Sequence, residues 1–418
     1  MKRCRKLFYL IPAFAVMIFV GCSNKGRSSE NVDYEYSDYV FDNDAPQYYM
    51  SNSSAAAPSG YYFIGDAAIS TGSERFLYYF DMVNKSVMPL CTKLNCEHNS
   101  QDCDAYVSDK SRVTGGLWYY NNRLYMIERT DEKDLLVSYD KTGRDKKTEA
   151  VLSVNGMSVV SSRQRACFSH GKLYYILTSE KTQYLYYVQV GTNTQPQFIK
   201  EYSTVYGIRE TITLYPVGEK VYVKLVSGIT DVTNDYILES IDINDNNVSK
   251  VYDYMSDGSI FRGEADDWNN GAYIDESGNM YFISLTEDSY ILNKMNTVSK
   301  DNEEIFVIDL SQDTGKKEAY TDFLGIDDKY IYILERVDFS IAENRKNKEL
   351  KNKLDILDTK GNIVDVIEFT TNDKYAKENQ VGTEGNGLQF DFFNGDSRYM
   401  LFAVEGYSKT GVEFSEQN

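Results

Sequence analysis

The chain has 418 residues, 42% hydrophobic and 14% aromatic, with 36 Tyr and 20 Phe against six Pro, which is ample for a sizeable core. Its formal net charge is -19 and becomes more negative once the basic N-terminus is set aside. That balance argues against a nucleic-acid partner and against electrostatic attraction to an anionic surface.

The chain opens with Lys2, Arg3, Arg5 and Lys6, followed by an apolar run from Leu7 to Val20. Fourteen apolar residues fall short of the roughly 20 that span a bilayer, so the pattern predicts the charged and hydrophobic regions of an export signal. The run ends in Phe19-Val20-Gly21-Cys22. These four residues resemble the lipobox of bacterial lipoproteins, with Phe19 where the family usually has leucine. The resemblance implies cleavage before Cys22, acylation of its thiol and new amino group, and a mature protein anchored at the extracytoplasmic face of the cell membrane. Two or three acyl chains would hold it firmly, because each buried methylene contributes roughly 0.8 kcal/mol. Residues 1–21 are then a signal peptide, 22–59 the lipidated Cys22 with a flexible tether, and 60–418 the folded body. The tether carries Ser, Asn and Asp runs and Ala55-Ala56-Ala57. Gln47–Met50, beside its unusual tyrosines, reads as one short strand.

From Gly60 onward a turn followed by a tyrosine-bearing apolar run recurs. Its copies begin at Asn121, His170, Gly218, Ser277, Asp327 and Gly395, with Gly60-Tyr-Tyr-Phe-Ile as a looser seventh. Each reads as a β-hairpin. A second hairpin pattern alternates with the first: an apolar strand ending near Asp, a polar turn, then another apolar strand. Examples are Leu77–Asp81 leading to Val87, Leu135–Asp140 leading to Val151, and Tyr236–Asp242 leading to Val251. Two hairpins per period predict four strands per period, with turn spacings of 49, 48, 59, 50 and 68 residues. That is the signature of propeller blades. Here the body resembles bacterial lipoproteins with a tyrosine-rich β-propeller. The expected fold is all-β, a propeller of seven four-stranded blades, or six if the C-terminal hairpin completes the first blade. The polar segment Ser340–Lys353 reads as a long inter-strand loop.

Chemistry concentrates in Cys91-x4-Cys96-x-His98-x4-Cys103, three thiols and one of two histidines within thirteen residues. Zinc in a closed site takes four such ligands. The alternative is a disulfide within the loop or to Cys167, since exported proteins meet oxidising surroundings. Either role is structural. Asp242-Ile-Asn-Asp-Asn-Asn247 partly echoes a calcium loop but lacks Gly at the sixth place and reads as a polar turn. There is no Gly-x-Ser-x-Gly nucleophile elbow and no Gly-rich phosphate loop followed by Lys. Asp266 and Asp267 beside Trp268, with Glu264 nearby, form the most suggestive acidic-aromatic group and suit a sugar.

The expected function is a binding or scaffold module for a protein, peptide or glycan ligand. The rival is a carboxylate-dependent glycan hydrolase or lyase on the same scaffold. A structural envelope component is the third class.

Overall fold

In a computed structural model of the protein, the residues described are 54–58, 60–66, 75–81, 86–107, 116–160, 165–179, 182–203, 211–230, 233–253, 273–275, 277–285, 289–309, 320–326, 330–336, 352–369, 388–391, 400–403, 408–409 and 412–413. Two compact units divide the chain, Met1–Asp33 and Tyr34–Asn418. The first lies outside the described residues, as do Cys22 and the strand expected at Gln47–Met50. No helix among the described residues is long and apolar enough to cross a membrane.

Every element described is a β-strand, and all pairing is antiparallel. The first sheet contains β1 (Ser54–Ala57), β2 (Gly60–Asp66), β3 (Arg75–Asp81), β4 (Ser86–Pro89) and β5 (Tyr106–Val107). The second holds β6 (Leu117–Tyr120), β7 (Arg123–Arg129), β8 (Asp134–Asp140) and β9 (Lys147–Val151). The third holds β10 (Ser158–Val159), β11 (Ala166–Ser169), β12 (Lys172–Ser179), β13 (Thr182–Gln189) and β14 (Asn193–Ser203). In the fourth are β15 (Thr211–Val217), β16 (Lys220–Thr230), β17 (Thr233–Asp242) and β18 (Val248–Asp253). The fifth has β19 (Tyr273–Ile274), β20 (Asn279–Leu285), β21 (Ser289–Asn296) and β22 (Asn302–Asp309). The sixth has β23 (Tyr320–Ile326), β24 (Tyr330–Arg336), β25 (Asn352–Asp358) and β26 (Ile363–Phe369). Two short ladders follow, β27 (Leu388–Asp391) with β28 (Met400–Ala403), and β29 (Ser408–Lys409) with β30 (Val412–Glu413).

Six periods of the sequence therefore each make a four-stranded antiparallel path, the alternating hairpins supplying its two halves, with β5 and β11 pairing beside it in the first and third sheets. The hairpin turns have the backbone their residues favour: Asn121 and Asn122 (φ 46 and 62) join β6 to β7, and His170 and Gly171 (φ 50 and 72) join β11 to β12. Left-handed residues at both central positions match the twist of the flanking strands. Beyond the third strand, an Asx turn carries the chain outward. Asp140 Oδ1 accepts the amides of Thr142 and Arg144, and Asp358 Oδ1 those of Lys360 and Asn362, all at 2.9 Å. Asp242 does the same for Asn244 at 2.8 Å, so the stretch that echoed a calcium loop is this turn.

One expectation is corrected. Ser54–Ala57, assigned by composition to the tether, is a strand paired with β2. Small residues have little β-propensity, so nothing local marked it. Ala55 and Ala57 are buried because the second sheet packs over them.

The core lies between successive sheets. In β12 the pleat sends Leu173, Tyr175 and Leu177 toward the second sheet, where they meet Trp118, Tyr125, Ile127 and Leu136. Tyr174 and Ile176 point the other way, onto Ile212, Leu214, Val221 and Val223 of the fourth sheet. The five consecutive residues Leu173–Leu177 are therefore all buried, each side chain contributing roughly 1.5–3 kcal/mol. The same alternation splits β7, with Leu124 and Met126 facing the first sheet and Tyr125 and Ile127 the third. One cluster joins the fourth, fifth and sixth sheets through Tyr222, Phe282, Ile331 and Ile333. This serial face-to-face stack of antiparallel meanders is the blade arrangement of a β-propeller.

Two junctions use the same clasp. Gly143 and Gly361 stand three residues after Asp140 and Asp358 with φ 80 and 84. A Cβ on Gly143 would lie 2.9 Å from the Leu90 carbonyl of the first sheet, and one on Gly361 only 1.8 Å from the Ile305 carbonyl of β22. The glycines let the outer turn of one sheet close onto the preceding sheet.

Candidate metal centre

The site arises from an irregularity in the outer ladder. Apart from a second slip of β13 at Tyr187/Gln189, in the second to fifth sheets alike the third strand slips register against its outer neighbour at Leu136/Val137, Leu185/Tyr186, Leu238/Glu239 and Leu292/Asn293. The first residue of each pair is a buried leucine four places before the strand end. Bulges of this kind add twist and splay the outer strand.

Leu77 of β3 occupies the matching place, four residues before Asp81. There the outer strand is split. Below Leu77, β5 pairs with Arg75 and Phe76, and above it β4 pairs with Tyr78 through Asp81. Leu77 bonds to both halves, its carbonyl accepting from Leu90 N at 2.8 Å and its amide donating to Ala105 O at 2.7 Å. Residues 91–104 form an excursion between these two bonds, and they contain Cys91, Cys96, His98 and Cys103.

The excursion folds back on itself. Asn95 and His98 adopt left-handed backbone at φ 59 and 53, conformations that cost non-glycine residues energy unless the surroundings hold them. One candidate ligand atom from each of Cys91, Cys96, His98 and Cys103 lies within 4.8 Å of all the others. His98 Nδ1 is 3.4 Å from Cys103 Sγ. Metal–ligand bonds of about 2.3 Å to sulfur and 2.0–2.1 Å to nitrogen place tetrahedral ligand atoms about 3.5–3.8 Å apart, so small movements suffice to close four ligands on one ion. Cys103 is buried and the other three are half-buried. Cys91, Cys96 and Cys103 are free thiols, as is Cys167. Cys167 belongs to another core, between the third and fourth sheets, whereas the loop cysteines pack with the first and second.

The electrostatics suit a cation. Burial pushes the Cys91 thiol up, but hydrogen bonds from the Lys93 and Asp104 amides and from the Cys103 and Cys96 thiols outweigh it and bring the group below its ordinary value. Burial pushes the Cys103 thiol up to about 12, the neighbouring Cys91 and Cys96 reinforcing the rise and the Ala105 amide opposing it. Three thiolates cannot crowd together uncompensated, and a dication would supply the charge that lets them ionise. Lys93 Nζ, 3.0 Å from Asp104 Oδ1, ties the two feet of the loop together from outside and also donates to the Asp102 carbonyl. The four residues can bind a metal, and all four positions of a tetrahedron would come from the protein.

The other candidates stand apart. Trp268, Asp266 and Asp267 lie outside the described residues, as does Glu264. His170 holds a turn, its Nδ1 2.8 Å from Ser169 Oγ. A set that sequence reading overlooked is the buried carboxylates: Asp134, Glu239, Glu335 and Asp355 among the described residues. Each is met by a cation from its own sheet or the adjoining one. Arg129 lies 2.7 Å from Asp134, Lys200 2.6 Å from Glu239, and Lys353 3.1 and 2.8 Å from Glu335 and Asp355. The only local signal is an acidic residue at an inward register position, such as Asp355 opposite Ile333.

No family model matches the sequence, and no curated protein matches it. Among solved structures, the chain is similar to a protein from Lactobacillus plantarum, at 9% identity and a TM-score of 0.40 over 74% of this chain and 81% of that one. It is similar to an oligogalacturonate lyase in complex with manganese, at 10% and 0.36 over 69% and 74%, and to TolB from Acinetobacter baumannii, at 13% and 0.34 over 75% and 69%. Likenesses at these scores carry no argument about ligand or reaction.

Proposed function

We propose that the protein is an extracytoplasmic lipoprotein, anchored through acylated Cys22, whose β-propeller body binds a protein, peptide or glycan. The ring in this reading has seven blades, with β27 and β28 in the last, and its cofactor is a structural zinc ion held by Cys91, Cys96, His98 and Cys103. Trp268 with Asp266 and Asp267 is the candidate ligand contact, the indole stacking on a sugar or side chain and the carboxylates accepting its hydrogen bonds. Membrane contact runs through the lipid, and nucleic acid is no partner for so acidic a chain.

The observation that favours binding over catalysis is the pairing of the buried carboxylates. A carboxylate-dependent hydrolase needs two such groups open to substrate, and a carboxylate-dependent lyase needs one as the base. Among the described buried carboxylates, Glu335 and Asp355 come nearest to a pair, but they share Lys353 and are 7% and 0% exposed.

The test uses the full chain in detergent, incubated with cell-wall polysaccharide and with solubilised envelope proteins. One fraction should be retained over a heat-denatured control, with no change in the polysaccharide's reducing-end count. A rising count that disappears in Asp266→Asn with Asp267→Asn would replace binding by catalysis, and no retention at all would remove the binding reading. Cys22→Ala should release the protein from membranes, and unchanged retention would sink the anchor.

A further inference from the structure

Resting on the zinc reading, we infer that the metal splices a broken strand: by clamping the two feet of the 91–104 excursion it makes β4 and β5 act as one outer strand and fixes the first sheet against the second. In the second to fifth sheets the equivalent leucine stands at a register slip. At Leu77 the slip has grown into a loop, so two residues fifteen apart in sequence, Leu90 and Ala105, must meet on one partner. Closing such a loop costs entropy that grows with its length, and β5 is only two residues long, so it returns little. The ligands sit where a clamp is needed. Cys91 follows Leu90 directly, Cys103 stands two residues before Ala105, and Cys96 and His98 bring the tip back onto both feet.

The clamp reaches beyond its own sheet. Leu90, Cys103, Ala105 and Val107 share a core with Leu117, Leu124 and Met126 of the second sheet. Arg144, in the turn after β8, donates to Thr92 Oγ1 at 2.8 Å, and Tyr62 donates to the Lys141 carbonyl at 2.8 Å. Gly143 of that turn seats against Leu90. Freeing the feet therefore loosens the whole first junction. Three sulfurs and one imidazole select a thiophilic divalent ion such as zinc and disfavour magnesium, calcium or manganese, which prefer oxygen.

The full chain, purified in detergent, should hold one zinc per molecule by elemental analysis. Cobalt exchanged into the site should show thiolate charge-transfer bands and the intense visible bands of a tetrahedral ion. Chelation should then speed hydrogen exchange at the Leu77, Leu90 and Tyr106 amides at least tenfold, leave the β12 amides Tyr174–Ile176 unchanged, and be reversed by added zinc. Zinc bound with no change at Leu77 and Tyr106 overturns the splice while leaving the zinc reading in place. No metal, or a disulfide among the three loop cysteines by mass, overturns both. Cys103→Ser should drop the zinc content below a tenth; should that variant not fold, chelation of the wild type and the altered cobalt spectrum of His98→Asn decide the question.

Discussion

The first and last of the described sheet junctions are built from the same parts and finished differently. Between the fifth and sixth sheets, the Asp358–Gly361 turn closes onto β22, an uninterrupted outer strand, and the glycine sits directly on its backbone. Between the first and second, the Asp140–Gly143 turn closes onto Leu90, the foot of a split strand. Where the outer strand is continuous, ladder bonds and apolar burial hold the surface on which the next sheet docks. Where it is broken, that surface must be assembled from residues distant in sequence, and the cysteine-histidine loop lies at the break. Hydrophobic burial is a sum over many contacts and tolerates variation; a four-ligand site works as a unit.

The largest expected effects test whether the two cores are equivalent. Leu124→Ala in the first junction and Ile331→Ala in the last remove fully buried side chains and should each cost about 2–5 kcal/mol in urea unfolding. A loss below about 1 kcal/mol at Leu124 alone would mean that the metal loop, not the core, carries the first junction.

A pH dependence should belong to the sixth sheet. Burial, reinforced by Glu335 and opposed by Lys353, raises the Asp355 carboxyl from 3.8 to about 7. Between these values the native state keeps a proton that the unfolded chain has released, so stability should fall as pH rises from about 4 to about 7. At 1.36 kcal/mol per unit the whole effect is on the order of 4 kcal/mol at most. Asp355→Asn should flatten this slope, and an unchanged slope would assign it to other groups.

Next comes the glycine clasp. Gly361→Ala puts a methyl group into the Ile305 carbonyl at a left-handed position, so a cost of about 1–3 kcal/mol is expected by thermal or urea unfolding. A neutral result would show that the last junction does not depend on this close approach. The smallest effect is expected at Lys93→Ala. Its ion pair with Asp104 is exposed, and such pairs contribute little, so melting temperature and zinc content should both stay unchanged. Loss of zinc in that variant would make the lysine part of the clamp.

Much of the fold was legible because strands advertise themselves through aromatic and β-branched runs, and turns through Asn, Asp and Gly. Tyr174 and Tyr175 announce a strand in this way, but which of them faces the second sheet and which the fourth depends on what is stacked on each side. Ala55–Ala57 was missed because small side chains acquire a strand's environment only from the sheet above them. Cys91, Cys96, His98 and Cys103 were recognisable as a metal or disulfide cluster from their closeness in the sequence. Their place in the fold was not, because the match between Leu77, where the loop leaves the sheet, and the register slips of the other sheets is visible only once the strands are paired.

By itself, the sequence determined the all-β class, the alternation of two hairpins per period and the grouping of three thiols with an imidazole, since each rests on local periodicity or spacing. The tertiary structure decided which carboxylates are buried and paired, which glycines must be glycines, and where the ligand loop leaves the sheet. These follow from contacts between sheets, and such contacts are set by packing across long sequence separations that no local pattern records.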